Sequence, residues 1–438
     1  MKYWKPLGLG AGIASALDPV GYANAGRINA DLTYHHPELT SNWDVTTQLS
    51  YLDIRNNVSP VTFPPGAFGG IYPDGYIGKF DLAESHLRFD TFAFYSGLPQ
   101  HLIRVGTGYH YNDQYKVAET KNYGVDPATG KPLPPGSAIV NLTDTPYVFN
   151  KETQRKNWYL SLQDVWTLTD QWELTAGIRY DNYSDFGSTI NPRFALVWQT
   201  QPYFTSKLLY GRAFRTPSFA DLYNTYNPIA MGNSNLKPET IDTWEIAFDY
   251  RVTDHFNLAT NVFTYDIADK IRYTPTADKK TNVAQNIGNW KGHGLELEAR
   301  WKISQKFNLM ANYSYAKATN KSNDSDIGNY PRHSAYVRTD WLLMSSWYVD
   351  VQANWIADRQ RVLNDPRPEI DDYTTVDLTF RYKGIQQGRA IIALSVRNLF
   401  DADAREPTSG PDSSGTINVP HDLPLAGRHW FVEFQYRF

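Results

Sequence analysis

Apolar and polar residues alternate along most of the chain. The terminal stretch GRHWFVEFQYRF puts Trp430, Val432, Phe434, Tyr436 and Phe438 at even positions, with Phe431, Glu433, Gln435 and Arg437 between them. A strand sends successive side chains to opposite faces, so one face is apolar and the other mostly polar. The same period recurs upstream. WELTAGIRYD sets Trp172, Leu174, Ala176, Ile178 and Tyr180 against Glu173, Thr175, Arg179 and Asp181. TWEIAFDYR sets Trp244, Ile246, Phe248 and Tyr250 against Glu245, Asp249 and Arg251. LELEARW, FNLMANYSY and TVDLTFRY repeat it with Leu297 against Glu296, Tyr313 against Asn312, and Phe380 against Arg381. A soluble sheet rarely opposes so many charges to its buried face over so many strands. A barrel does, with its charged face lining a wet lumen and its apolar face meeting lipid.

The connections sharpen this reading. Short turns (HPELTSN, GLPQH, TLTDQ, VTDH, ISQK, LMSS, KGIQQG) alternate with long polar stretches at 55–73, 118–147, 216–238, 270–287, 321–332, 358–372 and 401–425. Outer-membrane barrels sort their connections this way, short on the periplasmic side and long outside; sandwiches do not. From Gly26 onward about 17 segments have the length, roughly ten residues, that crosses a bilayer when tilted. They centre on Ala30, Thr47, Arg88, Gly106, Ser161, Gly177, Phe194, Leu209, Phe248, Thr260, Leu297, Ala311, Val337, Val351, Leu378, Leu394 and Phe434. The last strand must run inward, which requires one more strand before Ala30. YWKPLGLGAGI (3–13) fits, giving about 18 strands, an even number. The same N-terminus, followed by ANA at Ala23–Ala25, also resembles a secretory signal; Trp4, Pro6 and the glycines favour the strand.

Composition agrees. The 438 residues include 30 Tyr and 13 Trp, 15 % aromatic with Phe, at a mean hydropathy of −0.51. A hydrophilic mean with many interfacial aromatics is what polar lumen residues and aromatic girdles together produce. No apolar run is long enough for a membrane-spanning helix. The net charge of −4 offers no basic footprint for nucleic acid, and the absence of Cys removes disulfides and thiolate chemistry. No P-loop, nucleophile elbow or HExxH motif occurs, so neither enzymatic activity nor a cofactor is expected. The adjacent His35 and His36 fall in an expected turn and share no metal easily. SNDSD at 322–326 lacks the Gly and distal Glu of a calcium loop.

Five stretches then resemble one family, the TonB-dependent outer-membrane receptors: LLYGRAFRTPSFADLY (208–223), GNSNLKPETIDTWEIAFDY (232–250), NIGNWKGHGLELEARW (286–301), VRNLFDADAREP (396–407) and LPLAGRHWFVEFQYRF (423–438). They stand in the family order and cover most of the chain from about Asn157. The resemblance implies an all-β transmembrane antiparallel barrel with about 18 strands present of a 22-stranded family barrel. The whole chain, 1–438, would be that barrel domain, N-terminally truncated and without the family's plug. Its function would be TonB-dependent uptake of a ferric siderophore or similar iron complex across the outer membrane of a Gram-negative bacterium. The alternative is a passive porin-like channel for small solutes, with 118–147 long enough to fold inward.

The resemblance also implies residue roles. Trp430, Val432, Phe434, Tyr436 and Phe438 correspond to the terminal signal read by the barrel-insertion machinery. Pro238 lacks an N–H and suits the hand-over from loop to strand. Glu239 and Glu245 would face the lumen or plug, and Asn398 and Asp401 would hydrogen-bond backbone at a strand exit. Haem receptors of the family place a histidine between the segments matched here by FRTP and NSNL. SFADLYNTYNPIAMG has none, which favours a siderophore. Arg215, Tyr223 and Tyr226, in or beside that loop, are the candidate substrate-binding residues, suited to an anionic catecholate complex through charge-assisted bonds and cation–π contacts. Expected partners are outer-membrane lipid, the insertion machinery, the siderophore, and the TonB complex only where a plug is present.

Overall fold

The structure is a computed structural model that describes residues 22–437 apart from 60, 64, 67–69, 71, 227–229, 278–280, 386–388, 409, 412–416 and 418. The alternating stretches fold as seventeen long strands: β1 (Tyr22–Thr40), β2 (Trp43–Ser59), β3 (Tyr76–Tyr95), β4 (His101–Lys121), β5 (Thr153–Thr169), β6 (Trp172–Tyr183), β7 (Gly187–Gln201), β8 (Phe204–Arg215), β9 (Glu239–Thr253), β10 (Phe256–Pro275), β11 (Asn282–Ser304), β12 (Phe307–Asn320), β13 (Pro331–Met344), β14 (Trp347–Arg359), β15 (Tyr373–Ile385), β16 (Ala390–Arg397) and β17 (His429–Tyr436). Each expected strand centre lies in one of them. Each strand pairs antiparallel with the next in a single meander. One helical turn, α1 (Phe219–Tyr223), interrupts the β8–β9 connection. The expected strand at 3–13 and the terminal Phe438 lie outside the described residues.

The faces sort as the alternation predicts. Trp244 and Ile246 are each 48 % exposed and Phe380 42 %, all on the outward face. Residues of the opposite parity (Asp249, Asn261, Glu296, Glu298, Asn312, Ser334 and Asn354) line one polar recess on the concave side. Among the described residues no pairing joins β1 to β17, and each pairs with a single neighbouring strand.

Aromatic residues gather in two bands. At the turn end, outward rings pair across neighbouring strands: Trp43 with Tyr95 at 4.8 Å, Trp172 with Trp198 at 4.9 Å, Phe256 with Trp301 at 5.5 Å and Trp347 with Tyr382 at 4.7 Å. Toward the loop end, Trp158 meets Tyr180 at 5.4 Å, Tyr210 meets Trp244 at 4.6 Å, and His333 meets Tyr315 at 5.0 Å. Two such belts around an apolar band mark the two membrane interfaces.

Two expectations change. The stretch 270–287, read as a loop, is mostly paired strand: Ile271 faces Asn286 and Thr274 faces Val283. β4 likewise runs to Lys121, and β2 to Ser59. Strands that continue above the membrane are polar on both faces, so they lose the alternation that reveals them. His35 and His36 lie on β1 rather than in a turn, because β1 continues to Thr40; His35 Nε2 sits 2.9 Å from an Asp44 oxygen.

Candidate functional site

The long connections do not hang free at the loop end. They pack into a cap, and its centre is the FRTPSFADLY segment. Ser218 and Asp221 form a reciprocal capping box on α1, each side chain accepting from the other's backbone N–H at 3.0 Å. Asp221 also accepts the Tyr273 hydroxyl at 2.9 Å, which ties the turn to β10. Leu222 buries with Leu236, Ile271 and Ala284, and Tyr223 packs against that cluster. Arg155, reaching in from β5, donates to Asp185 at 2.7 Å and to the Pro217 carbonyl at 2.8 Å, with Phe186 and Phe219 under its guanidinium.

Arg215 ends β8 beside a carboxylate pair. Its Nη2 donates to Glu239 Oε1 at 2.6 Å, and its Nη1 lies 3.5 Å from Asp221. Glu239 further accepts the Ile271 N–H at 2.8 Å, with Lys270 Nζ at 3.7 Å. Burial works to raise the Glu239 pKa, but the Arg215 bond, the Ile271 N–H and the Lys270 charge outweigh it and hold the carboxyl below the usual glutamate range. Half of the Arg215 side chain remains exposed. Tyr223 lies under the Lys151 ammonium at 4.6 Å. Tyr226 is 46 % exposed, adopts φ +49°, and sets its ring against Tyr147 at 5.1 Å. The three candidate residues therefore share one cap, but they do not converge on one point. Arg215 and Tyr223 are held by neighbours, and Tyr226 presents its ring to solvent.

Sequence reasoning missed what anchors Tyr226. Lys121 and Glu119, both buried, pair at 2.9 Å, and Lys121 Nζ also reaches the Tyr226 carbonyl at 3.4 Å. Glu119 accepts the Phe149 N–H at 2.8 Å and the Tyr76 hydroxyl at 3.4 Å. One buried ion pair thus ties two connections, at Phe149 and Tyr226, to the start of β3. The available signal was Lys and Glu two residues apart, hence on one face of a strand, where a barrel exterior would not bury them. Asn398 and Asp401 act as expected of their type. Both have positive φ, Asn398 exchanges two 2.9 Å bonds with Ala402, and Asp401 accepts the Arg428 N–H at 2.7 Å. In SNDSD, Asp324 pairs with Lys291 and Asp326 with Arg332, each at 2.8 Å.

Below the cap lies the polar recess of about 600 Å³. Lys207 pairs with Asp249 at 2.5 Å, and the Asn261 amide bridges Glu245 at 2.9 Å and Glu296 at 3.2 Å. Among the described residues, the buried amide oxygens of Asn261 and Asn312 have no hydrogen-bond partner. This wall presents donors and acceptors to whatever fills or crosses the lumen. On β17, Trp430, Val432, Phe434 and Tyr436 share the outward face.

The comparisons match this geometry. The family model described as TonB dependent receptor-like, beta-barrel, matches residues 7–399. An iron-regulated outer membrane virulence protein of Vibrio cholerae is 25 % identical over 271 residues, covering 56 % of this chain and 41 % of that protein. The vitamin B12 transporter BtuB of Vibrio vulnificus is 27 % identical over 264 residues, covering 60 % and 40 %. The metal-pseudopaline receptor CntO of Pseudomonas aeruginosa is 24 % identical over 355 residues, covering 74 % and 48 %. The chain thus spans about two fifths to a half of the curated relatives it matches. Among solved structures, the copper transporter OprC superposes with a TM-score of 0.74 at 15 % identity, over 95 % of this chain and 66 % of that one. A ferric enterobactin receptor (PfeA) mutant from Pseudomonas aeruginosa superposes with a TM-score of 0.72 at 16 % identity, over 94 % and 62 %. At such identities these likenesses show the fold.

Proposed function

Because the chain belongs to the TonB-dependent receptor β-barrel family, and is an outer-membrane protein of a Gram-negative bacterium like its relatives, we propose that it forms the wall and outer mouth through which a ferric siderophore or similar iron complex is taken up. The observation that carries this reading is the cap. Exposed Tyr226 beside Tyr147, Tyr223 under Lys151, and the half-exposed Arg215 gather aromatic faces and cations at one mouth above a polar-lined wall. Stacking, cation–π and charge-assisted contacts of that kind suit a ferric catecholate, which is anionic and aromatic. Two solved neighbours are named as receptors of that class, for ferric enterobactin and for ferric catecholates. Capture by the mouth would precede inward release coupled to the TonB complex. The outward aromatic row of β17 would serve the machinery that inserts the barrel.

The test is a titration of the purified chain in detergent with a ferric catecholate, a ferric hydroxamate and cobalamin, read by quenching of intrinsic tryptophan fluorescence. Saturable quenching by the catecholate, weaker with the hydroxamate and absent with cobalamin, is the expected order. Saturation by cobalamin alone would overturn the ligand assignment and leave the family membership standing.

A further inference from the structure

The outward face of β10–β14 changes character along its length. Its lower part carries Val262, Leu295, Leu297, Tyr313 and Trp355, on the parity that faces hydrocarbon. Above them the same parity turns cationic. Register places Thr264, His293 and Lys317 in one row and Asp266, Lys291 and Thr319 in the next. Lys321 follows β12 directly. His293 sits 6.5 Å from the Tyr315 ring and tops an aromatic run through Tyr315, His333 and Trp355.

The height of these rows can be read from the strand. Trp301, in the turn-end girdle, is eight residues from His293 and ten from Lys291. At about 3.3 Å per residue and a tilt of about 40°, those separations rise roughly 20 and 25 Å along the barrel axis. An apolar band is about 25 Å tall, so the row falls where hydrocarbon gives way to headgroups on the side of the long loops. Two of the three lysines have acid partners, Lys291 with Asp324 at 2.8 Å and Lys321 with Asp266 at 2.5 Å. Both pairs are solvent-facing and weakly held. No ion pair of Lys317 occurs among the described residues, although its stem is half-buried between its strand neighbours.

We propose that Lys291, His293, Lys317 and Lys321 form a ledge that docks the phosphate groups of the phosphorylated glycolipid of the outer leaflet, with the acyl chains lying against Leu295, Leu297 and Val262. Charge complementarity selects this occupant. The ledge has three ammonium groups and an imidazole against two aspartates, at the depth where a lipid phosphate sits, above an apolar wall that fits acyl chains. Tyr313, Tyr315 and Trp355 supply the amphipathic rings that such an interface favours. The inference rests on the outer-membrane reading.

The experiment compares lipid retention by the full chain in detergent, using native mass spectrometry. The probes are a bisphosphorylated lipid A, the same lipid with both phosphates removed, and phosphatidylethanolamine. Wild type should retain the bisphosphorylated form at least tenfold better than the other two. Lys291→Gln combined with Lys317→Gln should remove that preference, roughly thirtyfold if each lysine contributes as a cation near a charged surface does. Lys317→Gln alone, which keeps a polar head on a half-buried stem, should show part of it, and Lys306→Gln in the opposite turn should leave it intact. Heat-modifiable migration on gels reports insertion independently. A barrel that inserts but retains all three lipids alike overturns the ledge. A chain that shows no detergent-stable barrel overturns the membrane placement beneath it, and the ledge with it.

Discussion

Removing one partner of the buried Lys121–Glu119 pair tests whether the cap is a designed latch. Glu119→Ala leaves the Lys121 ammonium buried with, among the described residues, the Tyr226 carbonyl as its remaining acceptor, and removes the carboxylate to which the Phe149 N–H and the Tyr76 hydroxyl donate. Breaking a buried pair from one side costs about 3–5 kcal/mol. At 1.4 kcal/mol per tenfold, the open cap should become roughly two to three and a half orders of magnitude more populated. Hydrogen exchange at the Leu142 and Thr225 amides reads this directly. Both donate to backbone carbonyls (of Glu119 and Phe149) that the substitution leaves in place, so faster exchange reports opening of the cap and not loss of their acceptor. The barrel amides, for example Val262 against Ile246, serve as the internal control. Removing both charges at once, with Glu119→Gln and Lys121→Met, should recover most of the protection, because no unpaired charge then remains buried. Exchange at Leu142 and Thr225 that does not change in Glu119→Ala, or a double variant as open as the single one, would refute the latch.

Three further outcomes follow from the same geometry. Leu297→Lys, on the outward face about midway between the girdles, should raise the free energy of the folded barrel by about 2–4 kcal/mol in lipid vesicles, whereas its lumen-facing neighbour Glu296→Lys should stay within about 1 kcal/mol; equal costs in urea unfolding would mean the faces are misassigned. Tyr226→Gly relieves the φ of +49° while removing the exposed ring. It should therefore keep the cap's exchange protection but weaken ferric catecholate binding about tenfold in the quenching titration, and undiminished binding would remove Tyr226 from the site. The cap carboxylates Glu239 and Asp422 titrate below their ordinary values. For Glu239, burial is outweighed by Arg215, Ile271 N–H and Lys270, and for Asp422 the Arg361 bond leads. A depressed carboxylate stabilises the fold above its unfolded pKa, about 4, and that contribution disappears as pH falls through the lower folded value. Loop proteolysis should thus be constant from pH 7 to 5 and rise below 4, while a rise already at pH 6 would contradict the sign.

How much of this was legible in the sequence depended on where water lies. Within the membrane one face of every strand must be apolar and the other need not be, so the pattern of Trp244, Ile246 and Phe248 against Glu245 and Asp249 announced both strand and face. Each of the seventeen strand centres was recoverable for that reason. Above the membrane both faces meet water and the constraint disappears. Ile271–Pro275 and Asn282–Asn286 are paired residue by residue, yet read as loop because Arg272, Thr274, Gln285 and Asn286 could face either way. The cap was opaque for a different reason. Its joints link residues such as Lys121 and Tyr226, or Arg155 and Pro217, that are far apart in the chain and meet only after the barrel has set the strand ends beside one another. Motif reading singled out Arg215 and Tyr223 from one segment, but a single sequence does not reveal that Glu239 and Asp221 already engage Arg215. That engagement bears on ligand capture. An anion approaching Arg215 must compete with two carboxylates, so the cation nearer to hand is Lys151, solvent-exposed above Tyr223. If the mouth holds an anionic complex, Lys151→Ala should therefore weaken binding more than Arg215→Lys does. The reverse order in the titration would show that ligand binding displaces Glu239 from Arg215, which makes the loop joint itself the sensor.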